Sequence, residues 1–529
     1  MFDRNGPLRI AAAVLIATSM VAGCSSLSGD DGEEKRSIVV GTTSEPSVLD
    51  PAAAWDGSWE LYKNVFQTLM AFPSSSSAPE PDAAKECGFT DSASRVYRCT
   101  LRDGLKFSNG NALDAAAVKH SVDRIRTIKA KSGPLGLLGS LDRVETPDKK
   151  TVVFHLKKSD ATFPFILATP ATALVDPESY PAGKLRKGDK LVGSGPYKLK
   201  SYREGKDAEL VKYEGYRGPA KVRNDVVTID YFQDSARMVK ALKAKKLDAV
   251  FRGLTPTQVT GFQKAQANGE QEIELSEILG AEISYLVFNP KHRMAGNPAV
   301  RRAVAELIDR KALVRNVYKR TADPLYSMVP GGITGHTSAF YDAYGEPSRR
   351  KAQETLSGAG IDKKVPLTLW YTTDRYGSTT KETFQEIKRQ LDRSGLFSVT
   401  IKGRPWSKFV EGYSKGEYPV FGRGWFPDFP DADNYVAPFV GKNNAVGTPY
   451  NNPEITEDLL PKSRKESNRA AASRSFTKAQ KIMARDARLL PLWQGRVYLA
   501  SVKDLAGVEW LLDPSTLPRL WELHKKSSW

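Results

Sequence analysis

Beyond its leader, the chain of 529 residues has no run approaching the ~20 apolar residues that a membrane-crossing helix requires. It has no His-Glu-x-x-His zinc motif and no Gly-x-x-x-x-Gly-Lys phosphate loop, so the common metalloprotease and nucleotide signatures are missing. Its five histidines are dispersed without local metal-ligand spacing, and cysteine is limited to three residues. Asp428, Asp431 and Asp433 suggest calcium at first sight, but the glycine and distal glutamate of an EF-hand loop are absent. No metal and no cofactor are expected. Paired carboxylates for glycoside hydrolysis stay open at this level, because their separation is a three-dimensional quantity. Internal repeats are also lacking, and Ser74 to Ser77 is the only low-complexity patch beyond the tether described below.

The formal charge of +17 raises the question of nucleic acid. Basic residues are interleaved with acids, as in Lys206-Asp207-Ala208-Glu209, and no RNA-recognition, zinc-finger or homeodomain pattern is present. The excess reads as a solvated basic surface, suited at most to loose association with anionic lipid or wall polymer.

What is present begins with a leader. Arg4 and Arg9 precede an apolar run from Ile10 to Met20, too short to span a bilayer core of ~30 Å, which reads as a signal peptide. It ends in Val21-Ala22-Gly23-Cys24, which resembles the bacterial lipobox and predicts lipidation of Cys24 and a membrane anchor outside the cytoplasm. Residues 25–36 are almost wholly polar, with only Leu27 apolar, and are expected to form a flexible tether.

With Cys24 assigned to the lipid, Cys87 and Cys99 remain, and in an oxidising compartment such a pair is expected to bridge. Turn-like Thr90-Asp91-Ser92 followed by strand-like Val96-Tyr97 predicts the hairpin that would bring the sulfurs together. Helices are predicted after Asp114, where Val118, Val122 and Ile125 share a face, and after the Asn297-Pro298 cap. Two more are expected at Phe384-Ile387-Leu391, stopped by Gly395, and between Ser467 and Arg488. Strand-like runs at residues 38–40, 151–154, 226–229 and 366–371 lie between them, making the fold class α/β.

An ordered set of motifs runs through almost all of the remaining chain: Glu45-Pro46-Ser47-Val48-Leu49-Asp50-Pro51; residues 101–110 from Leu101 to Gly110; Val192-Gly193-Ser194-Gly195-Pro196-Tyr197; Tyr285-Leu286-Val287-Phe288-Asn289; Val300-Arg301-Arg302-Ala303-Val304; Gly424-Trp425 with Asp428; Tyr450-Asn451-Asn452-Pro453; and Leu490-Pro491-Leu492. In this order they resemble the family 5 extracellular solute-binding proteins, the group that includes the oligopeptide- and dipeptide-binding proteins of ABC importers. The resemblance implies a periplasmic-binding-protein-like fold (type II, cluster C) of three lobes with a hinge and an interlobe ligand cleft. By that analogy lobe I takes residues 37–71, 191–280 and 491–529, lobe II takes 72–190 and lobe III takes 281–490. It also implies a monomer that delivers ligand to a permease with ATPase subunits, and makes Gly193-Ser194-Gly195 a structural turn rather than a phosphate site.

The expected ligand site centres on Arg423-Gly424-Trp425-Phe426-Pro427-Asp428-Phe429. A carboxylate beside aromatic faces pairs with a peptide α-ammonium, while the rings form walls indifferent to side-chain identity. Asp428 falls in register with the aspartate that anchors the peptide N-terminus in oligopeptide-binding members of the resembled family. Trp425, Tyr285, Trp406 and Trp59 are expected as pocket walls, and Arg423 as the partner of a carboxylate or carbonyl. Members of that family also bind nickel chelates, haem, opines and oligosaccharides, or sense signal peptides, so the cargo rests on Asp428; a secreted hydrolase is the rival from another class.

Overall fold

The computed structural model describes residues 37–74, 76–270 and 272–526. Cys24, its leader and the tether to residue 36 lie outside the described residues. Within them, each predicted strand run falls inside a strand: Ser37–Thr42, Thr151–Leu156, Val226–Tyr231 and Val365–Thr372. The helices begin where their caps predict. Asp114 accepts from the backbone N–H of Ala117 ahead of Ala115–Ile128, and Asn297 accepts from that of Ala299 ahead of Pro298–Leu307. The remaining two span Thr380–Arg393 and Arg469–Asp486.

The scaffold is an eleven-stranded mixed sheet with two long antiparallel strands at its centre, Ile273–Phe288 and Leu489–Val502. On one side Val420–Trp425 runs antiparallel to the first long strand, followed in parallel by Val365–Thr372 and Phe397–Arg404. On the other, Ala249–Phe251 pairs with the second long strand and is followed by the parallel strands Ser37–Thr42 and Val226–Tyr231, then by Asp207–Lys212 and Tyr197–Arg203. A separate antiparallel sheet holds Ala84–Phe89, Val96–Leu101, Thr151–Leu156 and Leu141–Glu145. Its first two strands form the predicted hairpin, with Cys87 opposite Cys99 and disulfide-bonded to it.

Three hydrophobic cores result. One covers the half of the large sheet around Ile283, Val304, Leu369 and Tyr435; a second covers the half around Val40, Val227, Val250 and Leu499; the third lies under the small sheet around Phe107, Val118 and Phe154. The two long strands pass from the first core to the second, so the same backbone hydrogen bonds join both halves.

Midway, the ladder of the long strands is interrupted. Leu279 pairs with Arg496 and Ile283 with Gln494, so Gly280, Ala281 and Glu282 together oppose Gly495 alone. The carbonyls this frees are taken up: Gln494 Nε2 donates to Gly280 O at 2.7 Å, and the Tyr435 hydroxyl donates to Ala281 O at 2.8 Å. The crossing is close enough to require glycine, since a Cβ on Gly280 would lie 2.6 Å from Gly495 O. The Gly193-Ser194-Gly195 turn has a similar cause: a Cβ on Gly193 would come within 2.1 Å of Val65 O. Backbone packing, not phosphate, explains those glycines.

Candidate functional site

Strand Val420–Trp425 ends beside the bulge and releases the chain into Phe426-Pro427-Asp428-Phe429. The segment is pinned at both ends: Trp425 meets Phe439 edge-on at 5.1 Å in the first core, and Phe429 packs against Phe165 at 5.9 Å in the third. Asp428 is held between them with its side chain buried.

Its carboxylate is built into a network. Oδ2 accepts from Asn434 Nδ2 at 2.8 Å, and Oδ1 accepts from the Trp55 indole N–H at 2.6 Å, across 373 residues of sequence. Asn434 Oδ1 in turn accepts from the Asp428 backbone N–H and from Trp425 Nε1, which fixes the amide's orientation. Burial pushes the Asp428 carboxyl up to about 6, against the lowering effect of the Asn434 and Trp55 hydrogen bonds. The other two aspartates of the acidic run are occupied: Asp431 pairs with Arg469 and Asp433 with Arg464, each at 2.8 Å. Among the described residues no cluster suited to a metal ion occurs.

Arg423, in register with Tyr285 on the long strand, is buried without a carboxylate partner among the described residues. Its Nη1 donates to the carbonyl of Ala445, and its guanidinium lies over the rings of Tyr413 at 4.8 Å and Trp406 at 5.8 Å. Trp406 opens the helix Trp406–Lys415 and meets Tyr376 edge-on at 5.9 Å; Tyr376 stacks on Phe426 at 6.5 Å. Phe426 is 42% exposed and Trp55 39%, so both rings present apolar faces to solvent beside this cluster.

Of the residues singled out from sequence, the structure gathers Asp428, Trp425, Arg423 and Trp406 around one strand end. Tyr285 adjoins them but is wholly buried against Phe439. Trp59 stands apart in the second core, its indole N–H donated to Ala54 O; Trp55, four residues earlier, is the tryptophan that reaches Asp428. Trp55, Asn434 and Tyr376 escaped the sequence reading, whereas Phe426 lay within the segment it singled out. Asn434 carried a faint signal, an amide six residues beyond the key aspartate, whereas nothing local marks Trp55 or Tyr376. Neither of two other cavities, a groove of about 760 Å³ beside Asn297, Arg302 and Glu306 and a pocket of about 330 Å³ beside Tyr62, Asp82 and Trp521, is lined by these residues.

Known proteins were compared with this architecture. Glutathione-binding protein GsiB of Escherichia coli is 26% identical over 510 residues, covering 94% of this chain and 95% of its own. Among solved structures, DppA from Helicobacter pylori in complex with a peptide superposes with a TM-score of 0.77 at 22% identity, over 93% of this chain and 99% of its own. The murein tripeptide binding protein MppA of Escherichia coli gives 0.77 at 20% identity, over 94% and 99%. The family described as bacterial extracellular solute-binding proteins, family 5, matches residues 78–447, more than half of the sequence, and the chain belongs to that family.

Proposed function

We propose that this protein is the substrate-binding subunit of an ABC importer and that its cargo is a peptide with an unblocked N-terminus. The observation that carries the reading is Asp428: a buried carboxylate, oriented by Asn434 and Trp55, at the foot of an exposed aromatic wall. An ionised carboxylate in such a place is stabilised most by a charged donor, and the α-ammonium of a peptide offers one at a position common to all sequences. Arg423 supplies the complementary cation for a ligand carboxylate or carbonyl. The names of the relatives support a peptidic cargo, since glutathione is itself a tripeptide.

In this reading residues 37–71, 191–280 and 491–529 form lobe I, 72–190 lobe II and 281–490 lobe III, and lobes I and III close about the bulge in the two long strands. Trp55, in lobe I, is then an interlobe contact of the closed form. Lipid on Cys24 would hold a monomeric binder near its permease and ATPases, raising its effective concentration there. The protein performs no chemistry on its cargo.

Calorimetric titration of the chain from Ser25 onward tests this, with a mixed pool of tri- to pentapeptides, its N-acetylated counterpart, and glutathione as a separate ligand. Saturable binding of the free-amine pool and loss on acetylation are expected, and Asp428→Asn should weaken binding about a hundredfold, the cost of a lost charge-assisted hydrogen bond. Equal affinity for both pools would overturn the role of Asp428.

A further inference from the structure

Glu282 is the third member of the bulge, and the bulge sets its direction. The side chain is half-buried, yet it makes no hydrogen bond and no ion pair among the described residues. Two glycines lie against it: a Cβ added to Gly424 would lie 3.3 Å from Glu282 Oε1 and 2.9 Å from the Tyr376 ring, and one added to Gly495 would make ordinary contact with Oε2 at 3.7 Å. Two arginines, Arg252 and Arg375, act on it electrostatically without pairing with it. Arg252 is already engaged, paired with buried Glu60 and donating to Thr516 O at 2.9 Å; Arg375 is exposed and lies over the Trp406 ring at 5.2 Å.

A carboxylate can only accept hydrogen bonds when ionised, and a partly buried one takes its donors from the protein, from water or from a ligand. Here the protein supplies none, although the backbone around the residue is carefully satisfied by Gln494 and Tyr435. The residue also borders the aromatic cluster, because the Tyr376 ring packs onto Gly424 and its hydroxyl donates to Gly424 O at 3.4 Å. We propose that Glu282 is a second charge-reading position of this site and takes a cationic side chain of the bound solute, the ammonium of lysine or the guanidinium of arginine. This rests on the peptide reading given above and adds a preference to it: Asp428 takes the amine that all peptides share, and Glu282 discriminates among them.

The test is calorimetry with alanine tripeptides carrying lysine at the first, second or third position, each matched by norleucine, which keeps the aliphatic stem without the charge. At one position lysine should bind about tenfold tighter than norleucine, as a close charge pair across an interface does. Glu282→Gln should remove that preference and leave the norleucine affinity within about twofold of the unmodified protein, a selectivity that general damage to the fold cannot produce. Glu282→Lys, read in the same way against glutamate-containing tripeptides, should reverse the preference. Tight binding of all tripeptides with no lysine preference, or a preference that survives Glu282→Gln, overturns this inference while leaving the peptide reading in place. Failure of every tripeptide to bind overturns both.

Discussion

At the scale of single residues, Asp428 is asked to satisfy two opposed demands. Burial favours its neutral form, raising its folded-state pKa from an ordinary 3.8 to about 6. Between those values the native state holds a proton that the unfolded chain has lost, so the contribution of Asp428 to stability is fully present below pH 3.8 and is lost as pH rises through about 6. The ammonium binding proposed for it needs the anion and runs the other way. The affinity for a peptide with neutral side chains is therefore expected to be flat above about pH 6 and to fall about tenfold per pH unit below it, while in Asp428→Asn the profile is level; titrations from pH 4.5 to 7.5 decide this. Burial raises Glu282 to about 7 against the pull of Arg252 and Arg375, and on the inference above its protonation is expected to weaken binding of cationic peptides alone. From sequence, Asp428 could be singled out because its tryptophan and arginine neighbours are adjacent in the chain. Glu282 could not, because what marks it is the absence of a partner, a property of the folded surroundings.

Among elements, the pair of long strands matters most. A strand ladder transmits rigidity, and a place where three residues oppose one is where that ladder bends most readily. The approach of Gly280 to Gly495 leaves no space for a methyl group: the nearest heavy atoms to an added Cβ would be backbone, at 2.6 and 3.0 Å. Gly280→Ala must therefore shift a strand, at a cost of about 1–3 kcal/mol. Urea unfolding should show that loss, and a Gly280→Ala protein as stable as its parent would mean that the crossing is looser than described. On the inference above, the substitution should also weaken the preference for cationic peptides, because Glu282 is two residues away. Helix starts were legible because a cap and its first turn are contiguous, as at Asp114 and Asn297. The bulge was not, since a mismatch of register exists only between two strands separated by about two hundred residues of sequence.

Over the whole molecule, the cores are tied by buried charge. Asp50, from the first of the ordered motifs, receives two hydrogen bonds from Arg124 at 2.7 and 2.5 Å and one from the Arg186 backbone N–H at 2.7 Å. Both side chains of the Asp50–Arg124 pair are at most 1% exposed. Arg124 lies on the helix of the third core, 5.5 Å from the Tyr180 ring. Removing the acid would leave a buried guanidinium unpaired, so Asp50→Ala is expected to lose about 3–5 kcal/mol, measured by denaturant titration, whereas exposed pairs such as Lys311–Glu346 should contribute little. An Asp50→Ala protein with unchanged stability would show that the tie is not needed.

The sequence by itself determined what depends on contiguous residues: the α/β alternation, the capped helices, the hairpin that pairs Cys87 with Cys99, and the Trp425-to-Asp428 segment at the centre of the site. Periodicity and capping act over a few residues, so they survive in one dimension. Only the tertiary structure decided that Trp55 rather than Trp59 meets Asp428, that Asp431 and Asp433 belong to Arg469 and Arg464, and that Glu282 has no donor among the described residues. Those outcomes depend on which distant side chains the packing of the cores brings beside a buried charge, and no local pattern of sequence sets that.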